Sequence, residues 1–180
     1  HHKAEAIEAA LAQHSGQAQL VVSNERDALL ETGGGVKRAL AHLAPDGQTS
    51  GFLVANGDVL WREESPVLES FLASFDPQKM DALLLLAPRT QATGYDGTGD
   101  YTLRPDGQVA RKTEREADYI FAGVQILSPS LFAAMPEGAF SLNQIYDLAQ
   151  SQGRLYGHVL DGLWMHVGTP EGRAEAEAAL

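Results

Sequence analysis

The sequence predicts an α/β fold with a doubly wound, mostly parallel (mixed) sheet that is flanked by helices. Two continuous apolar runs, residues 52–55 and 82–87, are typical of strands that are buried on both faces of a sheet. A helical spacing of apolar residues precedes each run, at residues 36–43 and 66–75. This alternation favours crossover connections, and the 180 residues are expected to form a single domain over residues 1–180.

The elements of the first half follow from periodicity and from the residues that interrupt it. Apolar residues at helical spacing predict a first helix over residues 4–13, and a β-branched run predicts a short strand at residues 20–22. Three glycines, residues 33–35, lead directly into the next helix, so a glycine loop is expected to open it. The strand at residues 52–55 ends at Asn56-Gly57-Asp58, which places a carboxylate at the end of a buried strand.

The second half combines a hairpin, further strands and two longer helices. A turn at Pro105-Asp106-Gly107, between two short β-rich segments, predicts the hairpin. Thr169 followed by Pro170 predicts the N-cap and the first residue of the last helix. The other predicted elements are a strand at residues 119–127, a short helix that begins at Ser128-Pro129, an amphipathic helix at residues 141–152, and a strand pair at residues 155–160 and 163–167.

Composition excludes several classes of partner and site. The formal net charge is −11 and the 13 Lys and Arg residues are scattered, so neither a nucleic acid nor an anionic membrane is an expected partner. Cysteine is absent, which excludes disulfides, thiolate nucleophiles and cysteine-based metal sites. No apolar run is long enough to cross a bilayer, and a soluble, cytoplasmic protein is expected.

Three segments offer chemistry, and each also has a purely structural interpretation. The glycines at residues 33–35 let a backbone approach a flat ring or a phosphate, or they form a flexible turn. Asp58 lies at a strand end, where ligands bind in α/β sheets, or it caps the next segment. The segment from Trp164 to Pro170 is a third candidate site, or a strand that leads into a capped helix.

The order of these segments resembles the sugar-1-phosphate nucleotidyltransferase family. A Thr-Gly-Gly-Gly segment at Thr32 precedes an apolar strand that ends in Asn56-Gly57-Asp58, and a Trp-x-x-x-Gly-Thr-Pro segment lies near the C-terminus. The resemblance covers most of the chain and implies a Rossmann-like fold of the nucleotide-diphospho-sugar transferase type. Four segments most resemble the branch that uridylylates N-acetylmuramate 1-phosphate in cell-wall recycling. They are residues 31–38, 121–127, 140–142 and 154–157.

The resemblance implies an enzyme that forms a nucleotide-sugar and pyrophosphate from a nucleoside triphosphate and a sugar 1-phosphate. UTP and N-acetylmuramate 1-phosphate are the preferred substrates. The alternatives are guanylyl transfer to mannose 1-phosphate, and a non-catalytic fragment that binds nucleotide-sugar and regulates a partner. Asp58 is the implied catalytic residue, and it would hold Mg²⁺, or Mn²⁺, between the phosphates.

The same resemblance assigns residues to the two substrates. The residues implied to bind the nucleotide are Glu31, Thr32, Gly33, Gly34, Asn56 and Gly57. The residues implied to bind the sugar are Gly99, Asp100, Glu114 and Gly123. Two of these have alternatives, because Gly123 can serve close packing within its strand and Glu114 can belong to a solvated charged face at residues 111–115.

Two features depart from the family pattern. Family members carry an Asp two residues before the Gly of Gly-Thr, as a second metal ligand, and this chain has His166 there. Magnesium prefers oxygen ligands and imidazole suits softer metals, so His166 binds the metal through a water, contacts phosphate as a cation, or is a packed histidine. The family's N-terminal strand, its Gly-x-Gly-x-Arg loop and a Pro-Lys segment have no counterpart before Leu20, so the domain is expected to be N-terminally incomplete.

Overall fold

The computed structural model describes residues 3–112 and 116–180, which form helices and two sheets. The helices are α1 (Ala4–Leu11), α2 (Glu31–Leu43), α3 (Val67–Ala73), α4 (Asn143–Ser151) and α5 (Pro170–Ala179). The strands are β1 (Phe52–Ala55), β2 (Val59–Glu63), β3 (Ala82–Pro88), β4 (Ala92–Thr93), β5 (Tyr101–Leu103), β6 (Val109–Arg111), β7 (Tyr119–Leu127), β8 (Leu155–Val159) and β9 (Gly162–His166). Within these described residues, no helix combines the length and the apolar character that a membrane span needs.

Two sheets organise the described part of the chain. Strand β7 is central in the six-stranded sheet, where it pairs antiparallel with β3 on one side and with β1 and β5 on the other. Strand β8 pairs parallel with β3, and β6 pairs antiparallel with β5. In the three-stranded sheet, β9 lies between β2, which is antiparallel to it, and β4, which is parallel to it.

The predicted α/β class with a mixed sheet and flanking helices is confirmed, but the expectation of mostly parallel pairing is corrected. Antiparallel pairs outnumber parallel ones in the described residues, because β1, β3 and β5 all run opposite to β7. An apolar run indicates that a strand is buried, and it carries no information on the direction of its neighbour. The run at β1 illustrates this, since β1 pairs antiparallel with β7. Even burial is partial there, because Phe52 is buried while Leu53 is 40% exposed.

Most of the predicted elements are confirmed at or near their predicted bounds. Strand β7 covers the predicted residues, and Thr169 caps α5 by accepting a hydrogen bond from the Gly172 N–H at 3.0 Å. The predicted strand at residues 20–22 is wrong, because those residues are irregular and exposed. The predicted pairing of the two late strands is also wrong, since β8 joins β3 and β9 joins β2. Strands β2 and β4 were not predicted.

Strand β3, the neighbour of β7, explains how the larger sheet is buried on both faces. Its residues alternate, so that Leu84 and Leu86 enter one apolar cluster while Leu83 and Leu85 enter another. Helices α2 and α4 pack on the first cluster, and α3 and β9 contribute to the second. Burial on both faces accounts for the continuous apolar run of β3 in the sequence.

Candidate functional site

Asp58 lies in the turn between β1 and β2, and the backbone holds that turn at both ends. The Asn56 N–H donates to the Gly123 carbonyl of β7 at 2.8 Å, and the Val167 N–H donates to the Asp58 carbonyl at 2.8 Å. The Asp58 side chain is 54% exposed. The fold therefore presents this carboxylate to solvent at a strand end, as the sequence predicts.

His166 is the last residue of β9 and faces the same turn. Its ring stacks on Trp164 with centroids 6.3 Å apart and an interplanar angle of 19°. Trp164 is fixed in turn, because its indole N–H donates to the Ala122 carbonyl at 3.0 Å. His166 Nε2 lies 3.7 Å from Asp58 Oδ2, so the structure brings together the two residues that were proposed as metal ligands.

Gly168 completes what we call the strand-end cluster: Asp58, His166 and Gly168. A Cβ atom on Gly168 would lie 2.7 Å from His166 Nε2 and 3.5 Å from Asp58 Oδ2. Glycine at this position therefore leaves room beside both side chains. A cavity of about 490 Å³ lies next to the cluster and is lined by Gly168, the Thr169 cap and the first turns of α5.

The glycine segment packs inside the protein rather than forming an open loop. Glu31 begins α2, so the glycines that were expected to precede the helix lie within its first turns. The N–H groups of Gly33 and Gly34 both donate to the Phe140 carbonyl, at 2.8 and 3.2 Å. A Cβ on Gly33 would lie 2.4 Å from the Phe140 ring, and one on Gly34 would lie 2.2 Å from the Gly138 carbonyl oxygen.

The contacts of this segment limit what it can offer to a nucleotide. The two glycine N–H groups already have an acceptor, and the glycines allow α2 to approach the chain at residues 138–140. Thr32 Oγ1 accepts a hydrogen bond from the Leu142 N–H at 3.0 Å and keeps its own proton to donate. The Glu31 side chain is exposed at the helix start. The roles of these four residues in nucleotide binding stay predictions.

The described residues that were predicted to bind sugar have two kinds of contact. Gly99, with a φ of 81°, packs on the Ala117 carbonyl, and Gly123, with a φ of 82°, packs on Val59 and Asn56. Asp100 Oδ2 accepts a hydrogen bond from the Phe121 N–H at 3.0 Å. Glu114 lies outside the described residues. Gly123 thus serves close packing, and that packing is what seats the Asn56 turn on β7.

Sequence reasoning missed a cavity of about 460 Å³ between the β5–β6 hairpin and α4, which we call the Lys112 cavity. It is lined by Asp100, Tyr101, Arg111, Lys112, Phe121, Asn143 and Tyr146. Burial raises the pKa of the Tyr101 and Tyr146 hydroxyls above the usual range of tyrosine, so both stay neutral. Only Asp100 of this set was predicted. The available signal was the Arg111-Lys112 pair, whose charges were interpreted as part of a solvated face.

Comparison with known proteins identifies the family. The chain is 40% identical to the N-acetylmuramate α-1-phosphate uridylyltransferase of Caulobacter vibrioides, over the whole chain and 75% of that protein. It is 33% identical to the protein of the same name from Neisseria meningitidis serogroup B, over 83% of the chain and 62% of that protein. The chain belongs to the sugar-1-phosphate nucleotidyltransferase family. No protein-family model matches the chain.

Solved structures agree with the fold of this nucleotidyltransferase. HddC from Yersinia pseudotuberculosis has a TM-score of 0.67 at 19% identity, over 99% of this chain and 74% of that chain. The same protein complexed with GMP-PN has a TM-score of 0.65 at 20% identity, over 97% of this chain and 73% of that chain. The inositol-1-phosphate CTP transferase of T. maritima has a TM-score of 0.56 at 14% identity, over 79% of this chain and 58% of that chain. These likenesses support the nucleotide-diphospho-sugar transferase type of fold.

The donors of the strand-end cluster fit a divalent ion that is shared with a substrate. The described residues contain no group of three or more His, Cys, Asp or Glu side chains that could hold a metal by themselves. Magnesium is commonly held by one or two carboxylates, with substrate phosphates and water as the other ligands, which Asp58 can satisfy. The imidazole of His166 suits softer transition metals better than Mg²⁺. A metal ion at this place therefore depends on oxygen ligands from the nucleotide.

Proposed function

We propose that this nucleotidyltransferase transfers a uridylyl group from UTP to N-acetylmuramate α-1-phosphate. The observation that carries the proposal is the 40% identity, over the whole chain, to a relative whose name states that activity. A second relative with the same name, at 33% identity, supports the same substrates. With these substrates the enzyme would act in cell-wall recycling in the cytoplasm, as the resemblance implies.

The reaction is a single displacement at phosphorus. A phosphate oxygen of the sugar 1-phosphate attacks the α-phosphorus of UTP and forms a new P–O bond. The bond between the α-phosphorus and its bridging oxygen to the β-phosphorus breaks, and pyrophosphate leaves with that electron pair. Such a transfer needs little covalent chemistry from the protein, so alignment of the two phosphates and neutralisation of their charge supply most of the catalysis.

The strand-end cluster is the proposed place for the charged part of this reaction. Asp58 would hold Mg²⁺ or Mn²⁺, and the bound ion would neutralise phosphate charge. His166, 3.7 Å from Asp58 and fixed by its stack on Trp164, would contact the same ion or a phosphate oxygen. Gly57 and Gly168 would leave the backbone open to the phosphates, since a Cβ on Gly57 would have no neighbour within 4 Å.

The remaining substrate contacts are proposed from the resemblance. Thr32, whose hydroxyl proton is available to donate, and Glu31 would lie near the base, with Gly33 and Gly34 behind them. On the sugar side, Asp100 offers one carboxylate oxygen that the Phe121 N–H does not occupy. Asn56, Gly99 and Gly123 would shape the surface between the two substrates. Glu114 is kept as a sugar ligand on sequence grounds alone.

Pyrophosphate release by the full-length protein tests the proposal. The protein, verified by intact mass, is assayed with UTP or GTP, with N-acetylmuramate 1-phosphate or mannose 1-phosphate, and with Mg²⁺ or Mn²⁺. We expect turnover with UTP and the acidic sugar, and dependence on the metal. Turnover with GTP and mannose 1-phosphate instead would show that the enzyme is a guanylyltransferase. No turnover with any combination would favour a protein that binds nucleotide-sugar without catalysis.

A further inference from the structure

We propose that the Lys112 cavity holds the sugar and that the Lys112 ammonium selects a sugar that carries a carboxylate. The inference rests on the proposed function, since N-acetylmuramate differs from N-acetylglucosamine by a lactyl ether that ends in a carboxylic acid. It assigns a specificity residue that the sequence comparison does not. The observations that carry it are the position of the cavity, its charges and the hydrogen bonds that its other polar groups already make.

The cavity and the turn that carries Asp58 both contact β7. Phe121 lines the cavity, and Gly123, two residues further on, accepts the hydrogen bond that anchors the Asn56 turn. Two residues along a strand span about 6.6 Å, which is close to the length of a hexose ring with one substituent. A sugar in the cavity and a nucleotide at Asp58 would therefore be neighbours.

Charge distinguishes this cavity within an acidic protein. The chain has a formal net charge of −11, yet two adjacent cations, Arg111 and Lys112, line the cavity. The Arg111 guanidinium is already engaged, because Nη2 lies 2.6 Å from Asp147 Oδ2. The Lys112 ammonium contacts the hydroxyl of Thr98, a neutral acceptor that an anion can supplement. Lysine is a compact point charge that suits a single carboxylate.

Two other polar groups of the cavity face a ligand as acceptors or already have a partner. Asp100 is an acceptor, and one of its oxygens holds the Phe121 N–H. The Tyr146 hydroxyl donates to Gln125 Oε1 at 2.6 Å, so its oxygen faces any ligand as an acceptor. Of the described lining residues, Lys112, the Asn143 amide, the Tyr101 hydroxyl and the remaining N–H groups of Arg111 can donate to an acidic substituent. Lys112 is the cation among them that pairs with no described carboxylate, while Asp100 suits sugar hydroxyls. An acidic group is thus directed to the Lys112 side.

The test compares two sugars that differ by the lactyl group. Binding of N-acetylmuramate 1-phosphate and N-acetylglucosamine 1-phosphate to the full-length protein is measured by calorimetry, for the wild type, Lys112→Gln and Lys79→Gln. Lys79 is an exposed lysine paired with Asp76, so its substitution changes the net charge equally. We expect the wild type and Lys79→Gln to prefer the acidic sugar roughly tenfold or more, as a charge-assisted hydrogen bond predicts, and Lys112→Gln to lose that preference.

Each alternative outcome overturns the inference. Equal weakening of both sugars by Lys112→Gln would place Lys112 on the shared 1-phosphate, and an unchanged preference would remove it from recognition. Should Lys112→Gln fail to fold by circular dichroism, Lys112→Arg must keep most of the preference. Calorimetry does not need turnover, so a wild type that prefers the acidic sugar but releases no pyrophosphate refutes the proposed function alone. A wild type that turns over without this preference refutes the inference alone.

Discussion

The strand-end cluster and the Lys112 cavity differ in the charged groups that they present. The cluster presents an exposed carboxylate beside a stacked imidazole, which suits a cation together with phosphates. The cavity is bounded by Lys112, by Arg111 that pairs with Asp147, by Asp100 and by neutral tyrosines, and Lys112 is its cation without a described carboxylate partner. Under the proposed function, an acidic chain would bind two anionic substrates because a metal ion serves one and a local cation serves the other.

Removing the carboxylate of the cluster has the largest expected effect. Asp58→Asn keeps the size of the side chain and removes its charge, so kcat for pyrophosphate release is expected to fall by at least about a hundredfold. Affinity for the sugar, measured by calorimetry, should change little if the two regions are separate. Asp46→Asn, an identical change in another exposed turn, serves as the control. A rate for Asp58→Asn that equals the control would remove Asp58 from catalysis.

A substitution at Gly123, where the Asn56 turn meets β7, should lower stability. Gly123→Ala forces a side chain into a φ of 82° and places its Cβ 2.9 Å from Val59. We expect a loss of about 1–3 kcal/mol in the free energy of unfolding, measured by urea denaturation. Gly57→Ala meets no neighbour within 4 Å and should stay within about 0.5 kcal/mol of the wild type. Equal stabilities for the two variants would show that the Asn56 turn is not seated on Gly123.

A hydrogen bond in the wall of the Lys112 cavity is expected to contribute a smaller amount to the free energy of unfolding. Tyr146 donates to Gln125, which is fully buried and whose Nε2 has no partner among the described residues. Tyr146→Phe would leave the Gln125 oxygen unpaired as well and lower stability by about 1–2 kcal/mol in thermal or chemical unfolding. Tyr156→Phe, at a partly exposed ring on β8, should cost less. If both variants unfold alike, the Tyr146 hydrogen bond adds nothing to the cavity wall.

The smallest expected effect on stability concerns a second histidine, His158. His158 lies between Ser70 and Ser74, with each ring nitrogen 3.2 Å from a hydroxyl, and burial lowers its pKa. A histidine whose pKa is lower in the folded state stabilises the fold fully above about pH 6.5, and that contribution is lost as the pH falls through the folded-state value.

The pH dependence can be assigned by difference. His158→Gln should flatten the decline of unfolding free energy below about pH 6.5 relative to the wild type. Denaturation curves between pH 5 and 8 measure this decline, because that range brackets the ordinary pKa of histidine. An unchanged slope in His158→Gln would show that protonation of His158 does not affect folding.

Local patterns predicted the individual elements better than their pairing. The continuous run of β3 and the Thr169-Pro170 cap are local signals, and both are confirmed. The direction of β1 and the partner of β9 depend on contacts between distant segments, which a run of apolar residues does not encode. Residues 20–22 have strand-forming side chains, but no strand of the described residues pairs with them.

The candidate site divides in the same way. The closeness of Asp58 and His166 followed from the resemblance, because both belong to motifs with a fixed order in the chain. The Lys112 cavity could not be predicted, since it combines a hairpin with residues of α4 that lie far along the sequence. Gly33 and Gly34 were informative about close approach, but their partner in the structure is the chain at residues 138–140.

Binding of Mn²⁺ in the presence of UTP, followed by electron paramagnetic resonance, tests the central claim that Asp58 is where ion and nucleotide meet. The full-length wild type and Asp46→Asn are expected to bind Mn²⁺ with equal affinity, and Asp58→Asn at least about tenfold more weakly. Equal affinity in all three proteins would contradict the account, because the ion would then be held without this carboxylate.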